Sequence, residues 1–577
     1  MINKIDSALC QALLNKKLIS KQLLDSIVKE AEKSEQEIKS LLIYKSIASE
    51  EDILKILSEQ LNLEVVNLGK ISIDKTLTDK IPVKIPSYYK FIPFKIENKT
   101  LTVAVSYPLS VKAQDEIRTY LGYEIKQVLA CENEIIDTLK SMYGLGAVTV
   151  HQILQKSPED KSAVSGEIYG KVEDIEKLTD EPSVIRLVNQ IILDAFNKRA
   201  TDIHVEPYRD KLRLRYRIDG VLYESKVPPQ LRNFLKPIFS RIKIMSNLDI
   251  VEHRLPQDGR AIVKVQNQTL DLRISTLPTP YGESLVIRIL PMKLLMNLEG
   301  LGIVTEDLKI MRDLISMPYG IIFVTGPTGS GKTTTLYAVL NELNTENRKI
   351  ITIEDPIEYE IEDITQIQVS PHTGLTFARG LRSILRHDPD VIMVGEVRDM
   401  ETAEIAMRSA LTGHLVFSTL HTNDAASGIT RLVDIGVQPY LIASSVTALI
   451  AQRLVRLICQ DCKKEDKNQP AEIKKLIASN LNIADSEVKI FRGEGCKKCN
   501  STGYYGRTAI YEILRIDEKI REMILAKTSA NKIKEVALKN GMCSLNQSGW
   551  QKVLQGLTTP EEVIKNTLEE KDSKSSE

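Results

Sequence analysis

Residues 320–343 read GIIFVTGPTGSGKTTTLYAVLNEL: an apolar run, a glycine-rich loop, and a segment rich in helix-forming residues. The loop has P-loop spacing, with a glycine at 326, four further residues, and then glycine, lysine and threonine at 331–333. Glycines let backbone N–H groups converge on phosphate oxygens at the start of a helix. The apolar run before the loop predicts a buried strand, and the segment after it predicts a helix. The stretch therefore predicts a nucleotide site in an α/β domain.

Each polar residue of a P-loop has a role. Lys332 is expected to reach the β- and γ-phosphates, and the Thr333 hydroxyl to bind Mg²⁺, so ATP and Mg²⁺ are the predicted ligands. A glycine-rich turn without a ligand is the alternative, which the lysine, the threonine and the flanking elements together disfavour. The predicted nucleotide-binding residues of the loop are Gly326, Pro327, Thr328, Gly329, Ser330, Gly331, Lys332, Thr333 and Thr334.

Three later apolar runs end in polar residues: KIITIEDPIEYE (349–360), DVIMVGEVRD (390–399) and HLVFSTLHTND (414–424). They predict strands of a parallel sheet, and such sheets bind ligands beyond the carboxyl ends of their strands. The polar residues at those ends are therefore expected beside the phosphates.

Four of these polar residues are candidates for chemistry. Glu396 is predicted to order Mg²⁺ or its water shell, and Glu358 to orient or deprotonate the attacking water. His414 and His421 are predicted to contact the γ-phosphate. The alternative is that the carboxylates cap helices and the histidines are ordinary loop residues. For Glu358, Glu396 and His421, the common position at strand ends after a P-loop favours function.

Four cysteines predict a metal site. Cys459-x-x-Cys462 and Cys496-x-x-Cys499 form two pairs, the pattern of a closed, tetrahedral and structural zinc site. Disulfides and free buried thiols are the alternatives, and disulfides are the weaker one in a reducing cytoplasm. The remaining cysteines are isolated in sequence and are predicted to pack in cores.

Composition limits the function classes. The 577 residues are 42% hydrophobic and 27% charged, enough for roughly four domains. Lys plus Arg and Asp plus Glu both number 77, so no net charge attracts nucleic acid. No stretch approaches the roughly 20 apolar residues of a spanning helix, and the N-terminus lacks a leader pattern. We expect a cytoplasmic protein without direct membrane insertion.

Arginines are dense before the P-loop. In residues 212–218, LRLRYRI, apolar side chains alternate with Arg213, Arg215 and Arg217, which predicts a strand with one basic face. A solvated sheet face is the usual explanation of such alternation. Further arginines, Arg254 and Arg260 among them, favour a role toward phosphate instead.

Four segments together resemble a known superfamily: GPTGSGKTTTLYA (326–338), TIEDPIEY (352–359), RHDPDVIMVGEVRD (386–399) and TGHLVFSTLHTNDA (412–425). They are similar to the Walker A, Asp box, Walker B and His box of the secretion ATPase superfamily. The chain resembles an extension ATPase of type IV pilus assembly or type II secretion. The cysteine pairs favour extension over retraction, because retraction ATPases lack this metal module.

The resemblance implies a fold and site residues. It implies an α/β protein with a RecA-like P-loop ATPase domain built on a parallel sheet and a zinc-binding insertion. An α+β, PAS-like domain and an N-terminal α/β docking domain would come before it. Glu358 would be the catalytic carboxylate, Glu396 the Walker B glutamate, and His414 and His421 the His-box pair. The arginine-rich domain would complete the nucleotide site, with roles for the residues Arg217, Arg254 and Arg260; Arg453 and Arg456 are weaker candidates for reaching a neighbouring subunit.

The predicted domain order combines these signals. It is a helical repeat at 1–62, a small α/β domain at 63–145, a flexible linker at 146–178, an arginine-rich α+β domain at 179–295, an interdomain linker at 296–318, the RecA-like ATPase at 319–458, the zinc module at 459–512, and a C-terminal helical region with a tail at 513–577. Some family members bind cyclic di-GMP through duplicated Arg-Leu-Gly motifs in the first domain. Here Cys10 and Lys39 stand at the glycine positions, so we expect weak or no binding.

The combined hypothesis is a cytoplasmic Mg-ATPase, a homohexameric ring that drives an inner-membrane platform protein and associated assembly components. It would be peripheral to the inner membrane through those partners. A non-catalytic ATP-binding scaffold is one alternative, although it has little reason to keep Glu358, Glu396 and the arginines together. A nucleic-acid motor is another, disfavoured by neutral charge and 5% aromatic residues. The sequence does not separate pilus assembly from type II secretion.

Overall fold

The computed structural model describes residues 4–143, 173–174, 184–291 and 297–567, except for 16–18, 20, 22, 25, 28–37, 46, 72, 74–76 and 83. The chain divides into two compact units, Met1–Ile289 and Leu290–Glu577, called unit 1 and unit 2 below. The predicted linker 146–178, apart from 173–174, and the predicted tail after 567 lie outside the described residues. None of the helices in the described ranges has the length and apolar character needed to span a bilayer.

Unit 1 begins with helices and a small sheet. Its α-helices are Lys4–Asn15, Ile38–Tyr44, Glu50–Leu61, Leu77–Lys80, Lys84–Tyr89, Val111–Leu121 and Glu132–Tyr143. Strand β1 (Phe91–Glu97) pairs antiparallel with β2 (Thr100–Val105), which pairs parallel with β3 (Glu124–Leu129). Asn98 and Lys99 turn the hairpin with positive φ angles of 46° and 65°. These two residues therefore form the loop of a β-hairpin.

The described residues in the rest of unit 1 form a seven-stranded sheet with two α-helices, Val184–Asn197 and Leu235–Met245. The strands are β4 (Glu173–Asp174), β5 (Ala200–Pro207), β6 (Leu212–Ile218), β7 (Val221–Ser225), β8 (Gln257–Val265), β9 (Gln268–Thr279) and β10 (Gly282–Pro291), in the order β4-β8-β9-β10-β5-β6-β7. Along β6 the apolar side chains are buried and the three arginines between them are partly exposed, as the alternation predicts. These three arginines are called the arginine face below.

Unit 2 is built on a second seven-stranded sheet. Its strands are β11 (Gly320–Thr325), β12 (Ile350–Glu354), β13 (Thr365–Gln368), β14 (Val391–Val394), β15 (Leu415–Leu420), β16 (Val446–Ile458) and β19 (Tyr504–Arg515), in the order β13-β12-β14-β15-β11-β16-β19. The first six run parallel, as predicted, but β19 pairs antiparallel with β16. The helices around the sheet are Thr305–Ile315, Lys332–Leu343, Phe377–Ile384, Met400–Leu411, Ala425–Asp434 and Pro439–Ser445.

Two predicted boundaries of unit 2 differ from the structure. The predicted boundary between 512 and 513 falls inside β19. The last residues of this strand lead directly into a segment with helical spacing of apolar residues, so the sequence predicted a helical region from 513. The predicted linker 296–318 contains the helix Thr305–Ile315, whose Met311 and Leu314 are buried in the core. Three-to-four spacing of apolar residues makes this segment amphipathic, so it packs against the sheet.

The cysteine-containing segment lies between β16 and β19. It holds a two-stranded sheet of β17 (Lys463–Glu465) and β18 (Phe491–Gly493) and the helix Ala471–Leu481. Four helices follow β19: Glu518–Leu525, Ala530–Lys539, Leu545–Leu554 and Pro560–Thr567. Trp550 is 0% exposed in a cluster that joins the last two of these helices to the insertion, so it packs in the core.

Candidate nucleotide and zinc sites

The phosphate loop lies between a wholly buried strand and a helix. Strand β11 ends at Thr325 and the helix begins at Lys332. Gly326 and Gly331 have φ angles of 150° and 89°, which side chains rarely adopt. A Cβ on Gly326 would also lie 2.5 Å from the Ser330 hydroxyl oxygen. The glycine spacing of the sequence therefore has a steric cause here.

Gln452 fixes the loop from the neighbouring strand, and the sequence analysis missed it. Its side chain is 1% exposed. Its amide nitrogen donates to the Ser330 carbonyl at 2.9 Å, and its amide oxygen accepts from the Thr335 hydroxyl at 2.8 Å. Strand β16 pairs with β11, which brings Gln452 beside the loop. Only the strand order reveals this, because the sequence places Gln452 far along the chain from the loop.

Lys332 is the first residue of the helix, and its side chain turns back onto the loop. Its Nζ donates to the carbonyl oxygens of Gly326 at 2.8 Å and Pro327 at 3.2 Å. Burial lowers the pKa of Lys332, the Glu396 carboxylate opposes this shift, and the charge of Arg453 adds to it. An ammonium group in this environment gains free energy when a phosphate approaches.

Glu396 and His421 meet beside Lys332, as the sequence analysis predicts. Glu396 follows β14 and His421 follows β15, and these strands are neighbours. The His421 Nε2 lies 3.5 Å from a Glu396 oxygen, and the other Glu396 oxygen pairs with Arg398. Burial and then the charge of Lys332 lower the pKa of His421, while Glu396 opposes them. A carboxylate and a neutral imidazole therefore face the lysine at one edge of the sheet.

Glu358 follows β12 on a segment that a buried tyrosine holds. The Tyr337 hydroxyl accepts from the Glu358 backbone N–H at 3.2 Å and donates to the Glu354 carboxylate. Glu354 is 2% exposed and also accepts from Thr352 and Gln366. Glu354 is thus a structural acceptor, whereas Glu358 is partly exposed.

His414 does not join this group. It precedes β15, and its backbone carbonyl accepts from the N–H of Gly320, the first residue of β11. Its imidazole Nδ1 lies 3.0 Å from the Ser409 carbonyl oxygen. Because β11 and β15 run parallel, His414 lies at the opposite end of the sheet from the phosphate loop. The structure therefore does not bring His414 together with the other predicted phosphate contacts, and the expected contact of His414 with the γ-phosphate is corrected.

The predicted arginines of unit 1 each contact a carboxylate. Arg217 lies 3.6 Å from Asp202, Arg254 pairs with Glu252 at 2.9 Å, and Arg260 pairs with Asp271 at 2.7 Å. Arg254 is 87% exposed. Their predicted role at the nucleotide stays a prediction.

The four predicted cysteines come together. Their sulfur atoms all lie within 4.8 Å of one another. The separations are 3.7 Å for Cys459 and Cys496, 3.9 Å for Cys462 and Cys499, and 3.7 Å for Cys496 and Cys499. Zinc–sulfur bonds of about 2.3 Å in a tetrahedron place sulfur atoms about 3.8 Å apart. The donor set therefore fits Zn²⁺.

Comparison with known proteins gives consistent matches. The family "Type II/IV secretion system protein" matches residues 177–565, and the MshEN domain matches residues 61–149. The type IV pilus assembly ATPase PilB of Myxococcus xanthus is 39% identical, covering 96% of this chain and 98% of the relative. The type II secretion system protein E of Xanthomonas campestris pv. campestris is 41% identical, covering 90% and 91%. A crystal structure of the pilus retraction motor PilT with ADP is 29% identical at a TM-score of 0.45, covering 66% and 97%.

Proposed function

Because the chain belongs to the type II/IV secretion system protein family, we propose that it is a Mg-ATPase motor that powers assembly of a type IV pilus or a type II secretion pseudopilus. Members of the family similar to this chain are named ATPases, and the chain is an ATP hydrolase of this family. One observation carries the proposal: Lys332, Glu396 and His421 converge at the end of the sheet that bears the phosphate loop.

The loop and the helix after it bind the phosphates. The backbone N–H groups at the helix start and the Lys332 ammonium neutralise phosphate charge. Bound Mg²⁺ would offset the negative charge that develops on the phosphate oxygens. Thr333 lies in the first turn of the helix, directly after Lys332, and with Glu396 it would hold the ion or its water shell.

Glu358 and His421 complete the proposed chemistry. Glu358 orients the attacking water or removes its proton, for which its position beyond β12, as a partly exposed residue with a buried Oε2, is suited. His421 is kept neutral at pH 7 by burial and by Lys332, so it can donate one hydrogen bond to a phosphate oxygen without adding charge. Arg217, Arg254 and Arg260 would supply further positive charge from unit 1.

The four cysteines hold Zn²⁺ in a structural role in this proposal. All four positions would be filled by thiolates, which leaves no open position for a substrate. The ion would join the start of the insertion, which follows β16, to the segment that leads into β19. It would therefore stabilise the edge of the ATPase sheet.

The motor is proposed to act as a homohexamer on an inner-membrane platform protein. Relatives named for pilus assembly and for type II secretion match over nearly the whole chain, which supports a role in this class of machine. Hydrolysis would be converted to displacement by movement between units 1 and 2.

The decisive experiment is ATP turnover per subunit measured against protein concentration, with Glu396→Gln as the control. We expect a rate that rises with concentration and is lost in the variant, because sites completed between subunits need assembly. A concentration-independent rate would contradict sites completed by assembly in this range. Absence of turnover at every concentration, with nucleotide still bound, would favour the non-catalytic scaffold.

A further inference from the structure

We propose that Arg453 binds the γ-phosphate of the nucleotide in its own subunit. This inference rests on the proposed ATP site and adds a residue to it. From the sequence, Arg453 is only a weaker candidate for contact with a neighbouring subunit.

Strand pairing brings Arg453 to the loop. In the pairing of β16 with β11, Ala451 lies opposite Thr325, the last residue before the loop. Arg453 follows two residues later, beyond the end of β11. The carbonyl oxygen of Gln452 would lie 2.7 Å from a Cβ on Gly326, and the Arg453 guanidinium donates to this same carbonyl at 3.1 Å. The guanidinium therefore lies close in space to Gly326, the first loop residue, because both approach the same carbonyl oxygen.

The other side of the guanidinium faces the segment after β15. Its second terminal nitrogen donates to the Asn423 backbone carbonyl at 2.7 Å and contacts the Asn423 side-chain oxygen at 3.3 Å. Asn423 is two residues after His421, which lies beside Glu396. Arg453 thus connects strand β16 to the segment after β15, the two strands that flank β11 and the phosphate loop that follows it.

The acceptors of Arg453 are all neutral. No carboxylate oxygen of the described residues lies within 4.0 Å of its guanidinium, a distance that would define an ion pair. Asp424 and Glu512 oppose the lowering of the Arg453 pKa by burial, and both are engaged by Lys534, at 2.8 Å and 3.7 Å. A half-buried cation with only carbonyl partners retains capacity for an anion.

Lys332 and Arg453 also lie close enough for their charges to interact. The positive charge of Arg453 contributes to the lowered pKa of Lys332. Two cations brought together at a loop are costly unless an anion joins them. The γ-phosphate, the most charged part of ATP, is the ligand that fits both.

Arg456, three residues along the same strand, provides the contrast. It pairs with Glu562 at 2.7 Å and lies 3.8 Å from the centre of the Tyr504 ring. Its charge is therefore balanced within unit 2, which argues against its predicted reach to a neighbouring subunit. It makes Arg456→Gln a matched control.

The test measures binding of Mg-AMP-PNP and Mg-ADP to the full-length protein by calorimetry. Arg453→Gln should weaken AMP-PNP binding by about tenfold or more and leave ADP within about twofold, since a charge-assisted hydrogen bond is lost on the γ-phosphate alone. Arg456→Gln should leave both affinities within about twofold, although it lowers the melting temperature.

The outcomes separate the possibilities. Equal weakening of both nucleotides would mean that Arg453 only holds the 421–424 segment, and unchanged affinities would also overturn the inference. Arg453→Lys keeps the charge but lacks the fork of donors, so it should weaken AMP-PNP selectively, and it decides the case if the glutamine variant does not fold. A wild-type protein that binds neither nucleotide would refute the proposed ATP site itself.

Discussion

The phosphate loop of unit 2 and the arginine face of unit 1 both concentrate cationic side chains, yet their charges are balanced differently. On the arginine face, Arg213 lies 3.7 Å from Glu224, and Arg215 pairs with Glu206 at 2.7 Å. Beside the phosphate loop, Lys332 and Arg453 donate to backbone carbonyls instead. A high density of arginines in the sequence is thus a weaker sign of a ligand site than two cations held by neutral acceptors.

This difference has an energetic basis. An exposed ion pair contributes about 0–1 kcal/mol, so the carboxylates of the arginine face satisfy its charges at little gain in stability. Cations whose hydrogen-bond partners are neutral lose solvation, and at the loop, among the described residues, only carboxylates beyond ion-pair distance attract them. A phosphate that arrives at the loop supplies a closer opposite charge, so binding energy is available there.

The largest expected effect concerns the cysteine cluster, whose four sulfur donors fit Zn²⁺. Cys499→Ser should remove bound zinc and lower the melting temperature by about 10 °C or more, because a structural zinc site contributes several kcal/mol to folding. Metal analysis of the purified protein and thermal melting would measure both. Cys131 lies outside the cluster, so Cys131→Ser should leave the zinc content unchanged and shift the melting temperature by no more than a few degrees. One zinc per chain retained by Cys499→Ser would contradict the proposed ligand set.

The next effect tests the neutral partners of the loop. Gln452→Glu keeps an acceptor for the Thr335 hydroxyl but replaces the donor to the Ser330 carbonyl with a negative charge. We expect nucleotide affinity to fall about tenfold or more, because a donor to a buried acceptor is lost and repulsion toward phosphate is added. Calorimetry with Mg-ADP measures this. Gln551→Glu, on the C-terminal helix Leu545–Leu554, is the control that should not affect affinity.

A pair of variants on β6 tests whether the arginine face acts on ATP. Arg215 makes two hydrogen bonds to Glu206, at 2.8 Å and 3.0 Å, whereas Arg217 shares Asp202 with Arg288. Arg217→Gln should lower kcat about a hundredfold and change the melting temperature little, because a guanidinium that contacts the γ-phosphate accelerates its transfer strongly. Arg215→Gln should lower the melting temperature by about 2–4 °C and leave kcat unchanged. Equal kcat losses in both variants would mean that the face acts only through folding.

Sequence reasoning succeeded where one short segment contains the whole signal. The phosphate loop, the cysteine pairs and the strand ends at Glu396 and His421 are local patterns, and the structure brings these residues together as expected. The family assignment is also confirmed.

It failed where the signal lies between distant segments. Gln452 and Arg453 reach the loop only through the order of strands β15, β11 and β16, which spacing along the chain does not encode. His414 was misplaced for a related reason: a strand of six residues separates it from His421, so one histidine lies at each end of β15. Strand β19 was hidden because helix-like apolar spacing follows it directly.

The smallest expected effect is an absence of binding. In the first part of unit 1, the Lys39 side chain is 2% exposed, and its ammonium lies 2.9 Å from Glu50, 3.2 Å from the Ser106 carbonyl and 3.5 Å from Glu132. Cys10 is 8% exposed in the apolar core of the same region. Both side chains fill space where the Arg-Leu-Gly motifs of related domains have glycine, and the Lys39 charge is already balanced.

We therefore expect calorimetry of the full-length protein with cyclic di-GMP to give no measurable heat at micromolar concentrations. Removing Lys39 does not restore a site in this view, because Lys39→Gly leaves Glu50 and Glu132 facing each other without their cation, and two such carboxylates repel an anionic dinucleotide. Lys39→Gly should accordingly lower the melting temperature without creating affinity. Nanomolar binding by the wild-type protein would contradict the steric argument, and tight binding by the variant alone would show that Lys39 is the single obstruction and that charge is secondary.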